Sequence, residues 1–555
     1  MMSNLRPFVI AILAIAVPFV LAWVAGVYPH SKTATEIAET ASTSGAEVIA
    51  TRCASCHEPL ESGGFNRISN IRKTPEGWNM TLTRMTLWHR VHFSDDERQT
   101  MVKYLADRQG LAPSEAAPWR YALEQDYNRV EEPQDKKVNV MCARCHTYAR
   151  IALQRRDEDE WRKLANTHMG QYPTMEFQEK ARSVEHYWDI LRDKIPIRLD
   201  VLYPFQTKAW TAWKAHPKAD LSGTWRIVGE RFGQGRYTGI ATITAKGNDH
   251  YAVTYRLTYA DGTLVAGTGT SIVYTGYEWR GSATLGNERI NEVFALSEDG
   301  NILTGRWFLT NADERGARMR AVRERPGTSA PGTSAIVAVE PPFVRAGTDA
   351  SLTLYGFGLD GVPDLGPGID VIETLAQTPE AVTVRVRTDN ATKPGRRTVI
   401  VGTAHADGLF AVYRQIDTVR VEPADAVARL GGGGGKTRKV GAQFTAIGYL
   451  NGPDGKPGTQ DDVRLGSFPA RWSIAPFNEA AAADHDAEFA GKITDDGFFV
   501  PADPGPNEAR AKYNRTTNNV GNLKIVAQVD DDAQSVTGNA HLIVAVQRWV
   551  RPPIR

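Results

Sequence analysis

The sequence predicts a multidomain chain of the α + all-β class, a helical N-terminal region followed by three antiparallel β-barrel or sandwich domains. Three observations predict it. The chain has 555 residues, enough for several domains at about 100–200 residues each. Positions 45 to 197 carry helix-type patterning and capping signals. After Leu199 short alternating apolar runs, separated by Asp-Gly and Asn turn signals, take over.

At the start, Arg6 precedes an uncharged apolar run from Pro7 to Val27, followed by Ala22, Ala25 and Gly26 at its end and a Ser/Thr/Ala-rich stretch. This pattern predicts a secretory signal peptide and polar leader over 1–40. An uncleaved anchor competes, because about 20 apolar residues span a bilayer. Pro18 and the small residues favour cleavage, so membrane association is expected only if the signal stays. The net charge of +1 gives no field that would attract nucleic acid. Lys436–Lys439 is read as a solvated loop.

The segment 41–197 holds all four cysteines, in CASCH (53–57) and CARCH (142–146). Cys-x-x-Cys-His is the attachment motif of c-type haem: two thiols add to the vinyl groups and the adjacent histidine binds iron. Zinc or dithiol chemistry fits less well, because a histidine follows the second cysteine both times. Cys53, Cys56, Cys142 and Cys145 are therefore the expected attachment residues for two covalently bound c-type haems. His57 and His146 are the expected proximal ligands. No thiol remains for a disulfide, a catalytic thiolate or a cysteine-derived quinone. Covalent haem and an export signal agree with a periplasmic location. Within this segment Ser94-x-x-Glu97 predicts a capping box opening a helix that stops at Gly110.

The sixth ligands follow from an internal repeat. Trp78 and Trp161 lie 83 positions apart, as do Tyr104 and Tyr187, and at that offset Met85 falls on His168. Seven residues, two helical turns, separate tryptophan and candidate in each half, which places both on one face. Met85 is thus expected opposite His57, and His168 opposite His146. A thioether raises the potential relative to bis-histidine ligation, so electrons would run from the second haem to the first. Met80, His89 and His92 near Met85, and Met169 and Met175 near His168, are the neighbouring candidates.

The β part begins with a barrel domain expected over 198–325, from runs such as YAVTYRLTY (251–259) and TSIVYTGYEW (270–279). The tandem PGTSA-PGTSA (326–335) is a linker. SLTLYGFGL, AVTVRVRT and RRTVIVGT suit an immunoglobulin-like sandwich over 336–423. A second one, over 424–555, contains five glycines (431–435) and ends in LKIVAQV and AHLIVAVQRWV. Asp454, Asp461 and Asp462 superficially suggest a calcium loop. They lack the alternating ligands and closing Glu of an EF-hand, so a structural hairpin is expected.

The order of export signal, CASCH, RISNIRKTPEGWNMTLTRM (67–85), CARCH and three β-domains resembles the alpha subunit of quinohemoprotein amine dehydrogenase. That resemblance implies a diheme, electron-transferring subunit of a periplasmic heterotrimer that deaminates primary amines. It implies a propeller-like beta subunit and a gamma subunit bearing cysteine tryptophylquinone. Electrons would pass to a soluble cupredoxin or cytochrome c. The resemblance places no catalytic residue on this chain. A free-standing diheme carrier that docks through its β-domains, and a diheme peroxidase with one open iron position, are the other readings.

Overall fold

The computed structural model describes residues 44–172, 174–180, 186–324, 334–510, 517–532 and 534–546. The expected signal segment and most of the PGTSA repeat lie outside them. Among the described residues no helix is long and apolar enough to cross a membrane.

The N-terminal region is partly helical. Its longer helices are Gly45–Cys53, Pro75–His89, Asp95–Gln109 and Glu158–Gln171. The expected capping box forms: Ser94 Oγ accepts from the Glu97 N–H at 3.1 Å, and Glu97 Oε2 accepts from the Ser94 N–H at 2.9 Å. Helix Asp95–Gln109 buries Met101, Val102 and Leu105 and ends at Gly110. Helices continue past 197, where the sequence reading placed a domain boundary. Ile195–Leu202 crosses that position and Lys208–Lys214 follows, capped by Thr207 Oγ1 on the Trp210 N–H at 3.0 Å. KAWTAWK is rich in aromatic residues that suit strand and helix alike, and the cap with burial of Trp210 decides.

The first β-domain is a closed barrel of eight antiparallel strands, each paired with its sequence neighbour. Ala312–Arg323 closes it on Gly223–Arg231. Strand His250–Tyr259 shows why: Tyr251, Val253, Tyr255, Leu257 and Tyr259 alternate inward. The run TSIVYTGYEW is not one strand but a hairpin between Leu264–Tyr274 and Glu278–Leu285. Thr275 takes φ 55° and Gly276 φ 78° at its turn. A threonine is costly there, and contacts from the helical region hold it. Its N–H donates to Asp107 Oδ1 at 2.7 Å and its hydroxyl to the Ala106 carbonyl at 3.1 Å.

The helical region sits directly on the barrel. Ile272 and Tyr274 join the apolar cluster of Trp78, Leu82 and Leu105. The second CxxCH half shares its core with the barrel interior.

The next unit has a four-stranded and a three-stranded sheet around one apolar core. The last has sheets of three, four and three strands. Pairing in these units is not wholly antiparallel, as the sequence reading had it. Phe343–Arg345 runs parallel to Ala404–Tyr413, and Asp425–Arg429 parallel to Gln534–Ala545. Such pairs join segments far apart in sequence, which local patterning cannot reveal. Strand Thr418–Glu422 pairs with Thr445–Leu450, so it belongs to the last unit rather than to the one expected to end at 423.

Candidate functional site

The site is built on a repeat with a local two-fold axis. Strands Ile71–Lys73 and Gln154–Arg156 pair antiparallel, with Ile71 opposite Arg156, Arg72 opposite Arg155 and Lys73 opposite Gln154. Arg72 and Arg155 also occupy equivalent places at the 83-residue offset, so the axis passes through their pair. Both grip one carboxylate. Arg72 donates to Glu115 Oε2 and Oε1, each at 2.9 Å, and Arg155 Nε to Oε1 at 3.2 Å. Burial pushes Glu115 up, but the Arg72 hydrogen bonds and both guanidinium charges outweigh it and hold the carboxyl at about 2.

From each strand the chain turns into a helix of the same register. Thr74 Oγ1 caps Pro75–His89 and Asp157 caps Glu158–Gln171. Trp78 and Trp161 are both buried, with Lys73 over the first ring at 5.4 Å and Arg156 over the second at 5.7 Å. Met85 and His168 then fall in equivalent last turns. The Met85 carbonyl accepts from the Arg90 N–H, and the His168 carbonyl from the Tyr172 N–H. The ends of these helices touch. Trp88 meets Tyr172 edge-on at 5.8 Å, and Tyr172 lies 5.5 Å from the His168 ring.

None of the four cysteines is in a disulfide; Cys56 and Cys145 are exposed and the other two half-buried. In the first motif the Cys53 carbonyl accepts from the N–H groups of Cys56 at 3.1 Å and His57 at 2.9 Å, a tight turn that aligns thiols and imidazole. Burial pushes the Cys142 thiol up to about 12 and raises Cys53, so neither is an activated thiolate.

The three histidines of the site each have one ring nitrogen occupied. Nδ1 of His57 faces the Asn66 carbonyl at 3.0 Å, that of His146 the Thr147 carbonyl at 3.0 Å, and that of His168 the Leu164 carbonyl at 2.8 Å. Such a bond sets Nδ1 as the protonated nitrogen and leaves Nε2 for a metal. Burial lowers His146 to about 4, with the Arg150 and His168 charges acting the same way. His168 is likewise lowered by burial. Both rings are therefore neutral near pH 7, the form that binds iron. The chemistry of this donor set fits haem.

The structure brings His146 and His168 within electrostatic reach of each other. Among the described residues no hydrogen bond or ring contact joins His57 to Met85. Among the competing methionines, Met80 Sδ accepts from Arg150 Nη2 at 2.8 Å, Met175 is buried in the core and Met169 packs against it. The aspartate loop is closed by its own chain. Asp461 Oδ2 accepts from the Asp454 N–H at 3.2 Å and Asp462 Oδ2 from the Gly458 N–H at 2.9 Å.

Sequence reasoning missed the Arg72–Arg155–Glu115 centre and the basic residues around the ribbon. The signal was present, since IRK (71–73) and QRR (154–156) stand at the repeat offset. Charged residues read as a solvated surface until pairing buries them.

Comparison with known proteins adds the family. Models of the quinohemoprotein amine dehydrogenase alpha subunit match four successive stretches. They are the haem-binding part at 43–210, domain II at 218–324, domain III at 333–414 and domain IV at 419–554. No curated protein matches the chain. Among solved structures, a redesigned β-barrel, mFAP1, has 17% identity over 19% of this chain and 94% of its own, with TM-score 0.17. The SGBP-B protein of the Bacteroides ovatus mixed-linkage glucan utilization locus has 11% identity over 58% of this chain and 60% of its own, with TM-score 0.18. The four family matches run in order from the haem motifs to the last sheets. The chain belongs to the quinohemoprotein amine dehydrogenase family as its haem-binding alpha subunit, a component of an oxidoreductase.

Proposed function

We propose that this subunit carries two c-type haems, attached through Cys53 and Cys56 and through Cys142 and Cys145, and relays electrons between partners. His57 with Met85, and His146 with His168, are the residues that would hold the two irons. The observation that carries this reading is the two-fold repeat: strand, cap, tryptophan and ligand candidate recur at one offset in both halves. When bound, the haems supply one-electron redox chemistry. The chain's own part is to hold the imidazoles. The Asn66, Thr147 and Leu164 carbonyls fix Nδ1 of His57, His146 and His168 and so orient each Nε2. The Trp88–Tyr172 contact joins the two ligand-bearing helices and supports transfer between the halves.

The electron source is a cysteine tryptophylquinone on a gamma subunit, assembled with a propeller-like beta subunit in a heterotrimer. The acceptor is a soluble cupredoxin or cytochrome c, and the complex works in the periplasm after removal of the signal. Four thiols committed to haem leave none for a quinone on this chain, which supports a quinone held elsewhere. The last two β units, each built from small sheets around one core, act as immunoglobulin-like modules that hold the assembly.

The test uses the purified mature chain and the reconstituted complex. Two haems per chain should survive acid–acetone extraction. Dithionite should reduce both, and a primary amine should reduce them only with the quinone-bearing subunit present. Reduction of the isolated chain by amine, or one haem per chain, would overturn the proposal.

A further inference from the structure

Glu131 lies outside every motif of the haem region, yet it accepts three hydrogen bonds beside the second one. Its Oε2 takes the Tyr148 N–H at 2.6 Å, and its Oε1 takes the Ala149 N–H at 2.9 Å and the Tyr121 hydroxyl at 2.7 Å. Tyr148 and Ala149 follow CARCH and Thr147 directly, and both are fully buried. Tyr121 is buried as well, and the Trp119 ring packs against those of Tyr121 and Tyr148, at 6.5 Å and 5.3 Å. The carboxylate is therefore held from both sides.

The bond to Tyr148 matters because of what shares its peptide. The Tyr148 N–H and the Thr147 carbonyl are two ends of one planar group. That carbonyl accepts from His146 Nδ1 at 3.0 Å, with a longer bond from the Arg150 N–H at 3.3 Å. Glu131, the peptide and the imidazole thus form one chain of hydrogen bonds. Each bond in such a chain polarises the next. An anion on the N–H side makes the carbonyl oxygen more negative, and that oxygen pulls harder on the Nδ1 proton. The ring then becomes a stronger donor at Nε2, as when a carboxylate stands behind a metal-bound histidine.

The other two imidazoles lack this backing. His57 Nδ1 also meets a carbonyl, that of Asn66, at 3.0 Å, but among the described residues no carboxylate accepts from the Arg67 N–H of the same peptide. His168 uses the Leu164 carbonyl one turn back in its own helix, at 2.8 Å. The residue 83 positions before Glu131 is Val48, so the repeat supplies no equivalent. The two halves match at their ribbon strands and tryptophans and differ here.

We propose that Glu131 is a positioning residue for the second haem: through the 147–148 peptide it fixes the His146 ring and strengthens its donation to iron. This rests on the diheme reading above. Stronger imidazole donation favours ferric over ferrous iron. Glu131 therefore holds the second haem further below the first than the exchange of methionine for histidine does alone. The wider gap favours passage of an electron from the second haem to the first.

The experiment is a spectroelectrochemical titration of the full holoprotein with its haem count, together with electron paramagnetic resonance of the ferric form. Glu131→Gln should raise the bis-histidine midpoint by about tenfold in the ferric–ferrous equilibrium, about 59 mV for one electron, and leave the other haem unchanged. A weaker axial donor should also widen the g-value spread of the bis-histidine signal. Glu131→Asp keeps the charge but is too short to hold all three bonds, and should move both readouts the same way by less. An unchanged midpoint in a variant with two haems would overturn the proposal. So would equal shifts at both haems. A raised midpoint with an unaltered resonance signal would assign the effect to charge at a distance and overturn it too. If Glu131→Gln fails to fold, Glu131→Asp decides alone. Loss of the second haem from both variants would leave Glu131 a purely structural role, which also contradicts the proposal. A wild-type chain with fewer than two haems would instead sink the diheme reading, a result the haem count separates from the others.

Discussion

At the residue scale the sharpest expectation is unequal ligation. Met85 and His168 occupy the same last-turn position in two equivalent helices. Ferric spectra should therefore show a sulfur-to-iron charge-transfer band in the far red from one haem. Met85→Ala should erase the band and lower the first haem's potential with little change at the second. His168→Ala should leave the band and open the second iron to imidazole or carbon monoxide. Survival of the band in Met85→Ala would move the thioether to another methionine. Met80 would have to give up its contact with Arg150 to serve. Cys53, Cys56, His57, Cys142, Cys145 and His146 could be proposed from the sequence because the motif's chemistry depends on adjacent residues. Met85 and His168 could be proposed only through the repeat.

At the element scale the two-stranded ribbon governs the haem region. Three residues per strand are too few for independent stability. The bidentate Arg72–Glu115 pair and Arg155 hold its centre instead. Glu115→Gln leaves two buried guanidinium groups without their anion and should cost about 3 kcal/mol, read as a lower denaturation midpoint of the holoprotein. The acid dependence has a definite sign. The carboxyl is held at about 2 in the fold, below its ordinary value of 4.5. Its contribution is full above about pH 4.5 and is lost as pH falls toward 2. The acid unfolding curve should steepen in that window, and Glu115→Gln should flatten it. Equal curves for both proteins would show that the centre carries no such linkage. The capping box at Ser94 was readable from four residues. The ribbon was not, because its partner strand lies about 80 positions away and neither strand has an alternating apolar pattern.

At the scale of the whole molecule, the haem region and the barrel meet through a buried charge cluster. Arg280 of the barrel bonds to Glu76, next to the start of the Met85 helix, at 2.5 Å and to Glu278 at 3.2 Å. Removing the cation should leave the buried Glu76 carboxylate without its partner. Arg280→Met is therefore expected to destabilise the docked pair by about 3–5 kcal/mol, measured by calorimetry. A wild-type melting temperature would contradict it. Burial raises Glu278 to about 8 despite the Arg280 charge. The folded state thus keeps a proton that the unfolded chain releases from about pH 4.5 upward, so stability should fall between there and pH 8 and level off beyond. Glu278→Gln should remove that slope.

The sequence by itself determined that the N-terminal region binds haem, the order of helical and β regions, the capping box and the repeat. Each depends on residues close in the chain or on a spacing that can be counted. Only the tertiary structure decided the rest. The helical region runs to Lys214, the hairpin at Thr275 splits an apparently continuous strand, and two short strands pair in parallel with distant partners. The charged residues of the ribbon, Arg72, Lys73, Arg155 and Arg156, are buried, which no local pattern signalled. The reason is common to all of them. Burial and pairing are set by segments remote in sequence, and the energy of a charge or a turn depends on what those segments place against it.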